Sequence, residues 1–355
     1  MEDVNAVSAK QQHDELLLFS DERMLAHAPG GEHPESPGRL QAILDRLRAR
    51  PRPGVTWREA PPAPREALLR VHSEAHVARL DALRGESRWI SADTGVCAGS
   101  VDAAYLAAGA GIAAVDALAV SGADRAFCLV RPPGHHAKRE RMMGFCFVNN
   151  VAVAAAHARH VHGAERVMIV DWDVHHGNGT ESIFFADPNV LVVDSHQTPL
   201  FPGTGEMDSL GEGAAFGRTV NLPLPAGTGD GDLVAIYRTI LPALAASFAP
   251  QLILVSAGFD GHRDDPIGGL DLTESGFANI CALVRDLANL HCGGKVVLFL
   301  EGGYDHQATA ASVEACVDVL VGGAPPDAPP PGALSEAVIP VFRAHHGLYW
   351  PGLRG

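Results

Sequence analysis

The sequence has little of what marks a secreted, membrane-spanning or nucleic-acid-binding protein. It contains only six cysteines and no CxxC pair, so neither a disulfide framework nor a paired-cysteine zinc site is expected. The first four residues lack the basic and apolar regions of a signal peptide, and no uninterrupted apolar run reaches the length of about 18 residues that a membrane helix needs. Basic residues are also scarce, because 27 Lys and Arg stand against 42 Asp and Glu. We therefore expect a cytoplasmic protein without a membrane or nucleic-acid partner.

Apolar segments and helical segments alternate along the chain. Hydrophobic residues make up 46% of the sequence and charged residues 19%, which is a globular composition. The first residues are polar, so we predict a flexible N-terminus over 1–14 and a single domain over 15–355. Strands that are apolar throughout and separated by helices predict an α/β fold with a parallel sheet covered on both faces. The predicted strands lie at 16–19, 126–130, 167–170, 190–193, 219–222, 252–255 and 296–300, and the helices near 99–120, 149–162, 232–247, 273–290 and 308–321.

Two proline-rich segments interrupt this alternation. Residues 51–64 and 322–334 are rich in proline and are predicted to be irregular connections. Polar clusters, in contrast, begin where the apolar runs stop. Because the carboxyl ends of parallel strands meet at one edge of a sheet, these clusters are predicted to converge on one cavity. They lie at 131–136, 171–176, 194–196, 256–260 and 301–304.

One of these clusters has the spacing of a metal site. Asp171, Asp173 and His175 alternate along the chain, so they share one face of an extended segment. With Asp260 from a neighbouring strand, they offer a set of ligands that suits Zn²⁺ and also Fe²⁺, Co²⁺ or Mn²⁺. Three protein ligands would leave a position open for water, as catalytic sites do. A capping aspartate beside a core histidine would explain a lone Asp-x-His, but not the polar run 176–179 that follows.

The other clusters carry groups for proton transfer and substrate binding. His135 and His136 follow a Pro-Pro-Gly turn and suit proton transfer at neutral pH; a solvated loop and a second metal site are the alternatives. Tyr304 after two glycines could donate to an oxyanion, although Gly-Gly-Tyr is also common in turns. Phe145 and Phe201 lie on loops, where they would line an apolar channel or simply form a hydrophobic plug.

Seven motifs together resemble a known family. In chain order they are HPESPGR, RPPGHHA, GFCFVNN, DWDVHHGNGT, FPGTGE, SAGFD and EGGY. The set resembles the class II branch of the zinc-dependent histone deacetylases and their bacterial amidohydrolase relatives, over about residues 16–320. The resemblance implies a single arginase-like α/β domain with an eight-stranded, mainly parallel sheet. That fold agrees with the alternation of strands and helices.

The resemblance also implies roles for individual residues. Asp173, His175 and Asp260 match the zinc ligands, and Tyr304 matches the phenol that polarises the acetyl carbonyl. His136 matches the general base and acid, and His135 matches its electrostatic partner. Asp171 matches the carboxylate hydrogen-bonded to the general base. Asn178 replaces the Asp that class I members carry beside the first histidine, so His135 is expected to lose its proton more easily.

The same resemblance implies a substrate tunnel and a second cation. Phe145 and Phe201 match its walls, Gly144 matches the carbonyl that accepts the substrate amide N–H, and Arg39 matches an arginine below the zinc, near a proposed acetate pocket. Shortly after the zinc-binding Asp260, where the polyamine-preferring branch of the family carries a glutamate, this sequence has Ile267. A structural K⁺ is implied near Asp171, Asp173, His175, Ser195 and His196, largely through carbonyl oxygens.

These observations predict an enzyme that hydrolyses the acetyl amide of N6-acetyl-lysine in proteins or peptides and releases acetate. The nearest alternative is an acetylpolyamine amidohydrolase, but Ile267 cannot supply the carboxylate that a cationic polyamine would favour, and segment 76–93 is short. An arginase-like two-metal hydrolase would need more aspartate ligands. A non-catalytic acetyl-lysine reader would not need the complete set of catalytic residues. The sequence leaves the oligomeric state open.

Overall fold

The described residues contain ten short strands, most of them apolar. The structure, a computed structural model, describes residues 15–120 and 123–354; the predicted flexible segment 1–14 lies outside them. The strands are β1 Leu16–Ser20, β2 Val55–Glu59, β3 Arg88–Trp89, β4 Gly95–Val96, β5 Arg125–Cys128, β6 Val167–Asp171, β7 Val190–Gln197, β8 Thr219–Leu224, β9 Leu252–Ala257 and β10 Val296–Leu300.

Eight of these strands form one parallel sheet. Their order is β2-β1-β5-β10-β9-β6-β7-β8, and every neighbouring pair is parallel. Strands β1, β5, β6, β9 and β10 are buried at every position, because helices cover both faces and alternate side chains enter both layers. The predicted α/β fold with an eight-stranded sheet is confirmed. Strands β3 and β4 form a separate two-stranded hairpin.

The helices form two layers on the sheet. Helices α1, α9, α8, α7 and α10 are successive neighbours in one layer, and α4, α5, α6 and α2 pack together in the other. The helices are α1 Pro37–Ala49, α2 Arg65–Leu69, α3 Glu74–Ala82, α4 Ser100–Val120, α5 Asn150–His162, α6 Asn178–Phe184, α7 Asp230–Phe248, α8 Glu274–His291, α9 His306–Leu320 and α10 Ala333–His346.

Side chains at several helix starts satisfy free backbone N–H groups. Asn149 accepts a hydrogen bond at the start of α5, Thr273 at the start of α8 and Asp305 at the start of α9. By length and composition, α4 and α7 are apolar enough to cross a bilayer. However, 72% and 50% of their most apolar windows are buried inside the fold, as in core helices.

The prediction of an irregular connection over 51–64 is wrong. This segment contains β2, which pairs with β1 at the edge of the sheet. An edge strand has a neighbour on one side only, and β2 is half-buried or exposed along its whole length. It therefore lacks the continuous apolar pattern by which the central strands were identified. The second proline-rich segment ends earlier than predicted, because α10 begins at Ala333.

Candidate active site

Three of the predicted metal ligands meet at the carboxyl edge of the sheet. Asp173 and His175 follow β6, and Asp260 follows β9, which pairs with β6. The Nδ1 atom of His175 lies 3.1 Å from an oxygen of Asp173 and 3.0 Å from an oxygen of Asp260. All three side chains are buried. One ligand atom from each lies within 4.8 Å of the others, so the three residues form a candidate metal-binding cluster.

The charges of this cluster favour the binding of a cation. Burial raises the pKa of Asp260 to about 7, and the negative charge of Asp173 adds to the shift. Burial opposes protonation of His175, but hydrogen bonds to Asp173 and Asp260 outweigh it and raise the pKa of His175 to about 10. Two buried carboxylates facing one imidazole are stabilised by positive charge, and a divalent ion supplies it without a proton.

A glycine lets another chain segment approach this cluster closely. A Cβ atom at Gly302 would overlap the Asp260 carboxylate. The N–H of Gly302 donates to Asp173 Oδ2 over 2.7 Å, and Val174 N donates to Asp260 Oδ1 over 2.8 Å. Backbone donors therefore fix both carboxylates in place. This explains the glycine at position 302, two residues after the end of β10.

The two adjacent histidines have partners opposite to those predicted. His135 Nδ1 pairs with Asp171 Oδ2 at 3.0 Å, whereas His136 Nδ1 lies 2.9 Å from Asn178 Oδ1. The prediction that Asp171 bonds to His136, and that Asn178 lies beside His135, is therefore wrong. Adjacent side chains in a turn point in different directions, and motif order along the chain does not reveal which ring meets which partner.

The surroundings of the two rings shift their pKa values in opposite directions. Burial disfavours the charged form of both. For His135, the charges of Asp173 and Asp171 outweigh burial and hold the pKa well above its ordinary value. For His136, burial and the neighbouring cationic rings hold the pKa well below its ordinary value. Because the Asn178 amide oxygen accepts from Nδ1–H, the Nε2 atom of His136 is left as a proton acceptor.

A buried glutamate, for which the sequence analysis predicted no separate role, holds the histidine loop. Glu301 Oε2 accepts hydrogen bonds from Gly134 N at 2.7 Å and from His135 N at 3.1 Å. Glu301 is fully buried at the end of β10, next to β5, which leads into the histidine loop. Its position in the EGGY motif, directly before the glycines, was the available signal.

Tyr304 lines the same cavity as the two histidines, and its hydroxyl is free. Its backbone N–H donates to Asp265 Oδ2 over 2.7 Å, which anchors the loop. Burial and the Asp260 charge raise the pKa of Tyr304 well above its ordinary value, so the phenol keeps its proton. The hydroxyl forms no hydrogen bond with any residue in the described ranges, and the ring lines the cavity. Tyr304 is therefore free to donate to a ligand.

Arg39 supports the tyrosine loop from below and does not line the cavity. Its guanidinium donates to the carbonyl oxygens of Gly303 and Glu301, and to Glu35 Oε1. The guanidinium carbon also lies 4.8 Å from the centre of the Tyr304 ring. Arg39 therefore contacts the segment that carries Tyr304, and its position relative to the zinc stays a prediction. Its role at an acetate pocket stays a prediction.

A narrow cavity leads from the surface to the metal cluster. Its volume is about 130 Å³, less than the 300 to 1,000 Å³ or so of pockets for drug-sized ligands. Phe201 forms one wall, with its ring 5.1 Å from His136, and Phe145 forms another, 5.9 Å from the Tyr304 ring. Gly144 and Ile267 also line it. The dimensions suit one extended side chain.

The Phe145 wall depends on two residues that the sequence analysis did not assign. Gly144 and Phe145 have φ values of 56° and 67°, and a Cβ atom at Gly144 would overlap the His136 ring. Such a conformation is rare for phenylalanine. Asp93 accepts from Gly144 N and Thr94 accepts from Phe145 N, each over 3.2 Å. Both come from the turn of the β3–β4 hairpin, outside the main sheet.

The residues predicted to surround potassium also lie together. Asp171 and Asp194 are paired across β6 and β7, and Ser195 and His196 follow Asp194. The Ser195 hydroxyl bonds to the Tyr237 hydroxyl at 2.7 Å, and His196 bonds to Asp194 at 2.7 Å. Five predicted residues therefore occupy neighbouring backbone segments. Potassium itself stays a prediction.

The narrow cavity combines a buried metal-ligand cluster, a proton-accepting imidazole and a free phenol. This combination is typical of a metal-dependent hydrolase, here with an α/β fold. Comparison with known proteins identifies the family. Residues 33–320 match the family model described as the histone deacetylase domain. The chain belongs to the histone deacetylase family, and it is a deacetylase or amidohydrolase that acts on acetylated substrates.

Individual relatives support this assignment. A probable deacetylase of Archaeoglobus fulgidus is 40% identical over 291 residues, covering 81% of this chain and 80% of that protein. A histone deacetylase-like amidohydrolase of Pseudomonas aeruginosa is 43% identical over 284 residues, covering 79% and 73%. A human polyamine deacetylase is 40% identical over 346 residues, covering 90% of this chain and 50% of that protein. The crystal structure of the HDA15 HD domain superposes with a TM-score of 0.89 at 35% identity, covering 96% and 97% of the two chains.

Proposed function

We propose that this protein is a zinc-dependent deacetylase that hydrolyses the acetyl amide of N6-acetyl-lysine in proteins or peptides. One observation carries the proposal. A proton-accepting His136 and the free hydroxyl of Tyr304 both line a cavity that also reaches the His175 ring of the metal-ligand cluster. An amide carbonyl at this depth would have a base on one side and a hydrogen-bond donor on the other.

The residues present fit zinc. One imidazole nitrogen and two carboxylate oxygens form a mixed nitrogen and oxygen set, and three ligands leave a position facing the cavity. Asp173, His175 and Asp260 would hold the ion. When bound, zinc supplies Lewis-acid polarisation of the carbonyl and makes water more acidic. A structural potassium ion near Ser195 and His196 is part of the proposal.

The two histidines divide the proton chemistry. His136 is neutral because its pKa is held low by burial, so its Nε2 accepts a proton from the attacking water. His135 stays positively charged beside Asp171 and stabilises the negative charge that develops nearby. The protonated His136 then returns the proton to the lysine nitrogen as the amide bond breaks. This assignment makes Asn178 the partner that orients the base.

The chain's other groups hold the substrate and stabilise the developing charge. The Tyr304 hydroxyl donates to the acetyl oxygen as negative charge grows on it. Phe145 and Phe201 enclose the lysine methylene groups, which excludes water from the reacting amide. The Gly144 carbonyl is proposed to accept the substrate N–H. Acetate then leaves, and Arg39 is proposed to lie near the pocket that receives it.

Acetylated polyamines are the second candidate substrate, because a polyamine deacetylase is among the relatives. The cavity rim favours acetyl-lysine. Ile267 lines the rim and provides no carboxylate to attract a second amine. The carboxylate of Asp93 does line the cavity, but its oxygens accept hydrogen bonds from Gly144 N and from the hydroxyls of Ser91 and Thr94.

A substrate panel tests the proposal. The purified protein is incubated with acetyl-lysine peptides, longer acyl-lysine peptides and N-acetylputrescine, with and without a chelator. We expect turnover of the acetyl-lysine peptides that the chelator abolishes and added Zn²⁺ restores. Higher kcat/KM for N-acetylputrescine would instead establish the polyamine reaction. A zinc-loaded protein that cleaves none of the substrates would establish a binding protein. The proposed cytoplasmic location is tested by cell fractionation.

A further inference from the structure

A second, larger groove lies beside the narrow cavity. Its volume is about 380 Å³, compared with about 130 Å³ for the cavity. It lies between the end of α3, the β3–β4 hairpin and the loop that leads to Gly144. The proposed chemistry uses none of the residues that line it.

The groove is basic on a chain whose formal net charge is −15. The guanidinium groups of Arg79, Arg88 and Arg141 line it, against one carboxylate, that of Glu140. Within the described part of the chain, Arg79 and Arg141 form no ion pair with a carboxylate. Arg79 donates instead to the backbone carbonyl of Glu140, and the Arg88 Nε lies 3.9 Å from Glu86. Of the three, only Arg88 approaches a carboxylate among the described residues, so the exposed guanidinium groups offer a site for an anion.

The groove and the cavity share two backbone segments. Ser91 and Met142 line the groove, whereas Asp93 and Gly144 line the cavity. The members of each pair are two positions apart in the chain, so their Cα atoms are at most about 7.6 Å apart. The Ser91 hydroxyl donates directly to Asp93. A chain leaving the cavity mouth therefore reaches the groove within a few residues.

Backbone hydrogen bonds hold the shared wall in place. Lys138 N donates to Arg141 O over 2.9 Å, and Met143 and Cys146 exchange backbone hydrogen bonds of 3.2 and 3.0 Å. The Arg141 backbone is thus fixed, while its side chain is exposed and free to bind a ligand. A fixed cationic wall beside a tunnel mouth selects substrates by charge.

We propose that this groove binds an acidic side chain of the substrate, two to four residues from the acetyl-lysine. The proposal rests on the proposed acetyl-lysine hydrolysis and specifies its substrate class as peptides with a nearby glutamate or aspartate. An extended peptide advances about 3.3 to 3.6 Å per residue, so two residues span nearly the distance of about 7.6 Å that bounds the Cα separation of Ser91 and Asp93. The same three guanidinium groups would repel a cationic polyamine.

A peptide series tests the groove directly. Each acetyl-lysine peptide carries either Glu or Gln at one position, two, three or four residues to either side. We expect at least one position at which Glu raises kcat/KM about fivefold, through a lower KM, because exposed ion pairs contribute modestly. The preference should shrink in 0.5 M NaCl, as exposed charges are screened.

Variants assign the effect to the groove. Arg88→Gln with Arg141→Gln should abolish the preference for Glu without changing kcat for the Gln peptide. Arg141→Glu should reverse it, so that a peptide with Lys at that position is preferred. The matched control is Arg343→Gln, an exposed arginine on α10, which should keep the preference. Thermal melting confirms that each variant folds.

Two outcomes would overturn the groove proposal. One is equal kcat/KM for Glu and Gln peptides at every position; the other is a preference that survives the double variant. If no acetyl-lysine peptide is turned over at all, the proposed reaction fails, and the groove is judged by binding alone. Calorimetry of the same peptides on Tyr304→Phe then decides, because equal Kd values for Glu and Gln peptides would exclude the groove.

Discussion

The floor and the rim of the cavity are built in different ways. On the floor, buried carboxylates and imidazoles hold one another through hydrogen bonds of 3.0 and 3.1 Å, as Asp173, His175 and Asp260 do. At the rim, the partly or largely exposed side chains of Phe201 and Ile267 are apolar. The floor residues compensate one another's charges, whereas these rim side chains carry no charge. We therefore expect the reaction to depend on the floor and the choice of substrate to depend on the rim.

Loss of a floor carboxylate should have the largest effect. Asp260→Ala is expected to reduce bound zinc and to lower kcat/KM at least about a thousandfold, because one of three ligands is lost. Metal analysis and acetyl-lysine turnover measure both. The control is Asp264→Ala, whose side chain is 68% exposed and which should behave as the wild type. Normal zinc content in Asp260→Ala would contradict the assigned ligand set.

Removal of the floor's hydrogen-bond donor should rank second. Tyr304→Phe is expected to lower kcat by about a hundred- to a thousandfold with little change in KM, since the donor acts on charge that develops during reaction. Tyr349→Phe, at a half-exposed surface tyrosine, is the matched control. If Tyr304→Phe retained near-normal kcat, the free hydroxyl would have another role.

A rim substitution should change selectivity more than rate. Ile267→Glu is expected to raise the ratio of kcat/KM for N-acetylputrescine to that for an acetyl-lysine peptide by about tenfold, because a carboxylate at the rim attracts the free amine. Ile267→Gln has almost the same shape without the charge, and it should leave the ratio near that of the wild type. A shift of equal size in both variants would show that size, and not charge, sets the preference.

The smallest expected effect concerns the partner of the proposed base. Asn178→Asp places a carboxylate beside His136 and favours the imidazolium, so the pKa of His136 rises. Because the base acts in its neutral form, the acid side of the kcat/KM profile should move up by about one pH unit. Asn189→Asp adds the same charge at an exposed position and should leave the profile unchanged. An unchanged profile in Asn178→Asp would exclude His136 as the titrating base.

The fold was largely predictable because the central strands are buried on both faces. Continuous apolar runs such as 167–170 and 252–255 became β6 and β9, and the polar residues after them gathered at one edge as parallel strands require. The exception was β2, an edge strand whose mixed pattern resembles a loop. Periodicity identifies strands by burial, so it fails where burial is incomplete.

The site was predictable in its members but not in its pairings. The ends of the predicted strands brought Asp173, His175, His136 and Tyr304 to one place, whereas the partners that the family resemblance implied for the two histidines were the wrong way round. Asp93 and Thr94 were not assigned either, because they come from a hairpin outside the main sheet. The order of strands in the main sheet does not indicate which residues of the β3–β4 hairpin reach the cavity.

The sequence alone determined the parallel sheet and the chemical groups at its carboxyl edge, because burial and strand direction are written in the apolar pattern. Only the tertiary structure decided that the pKa of His136 is lowered and that of His135 is raised. It also decided which groove adjoins the cavity. These depend on side-chain directions and on contacts between distant segments, such as Asn178 with His136 and Asp93 with Gly144. Contacts of this kind form through space, and no local pattern along the chain encodes them.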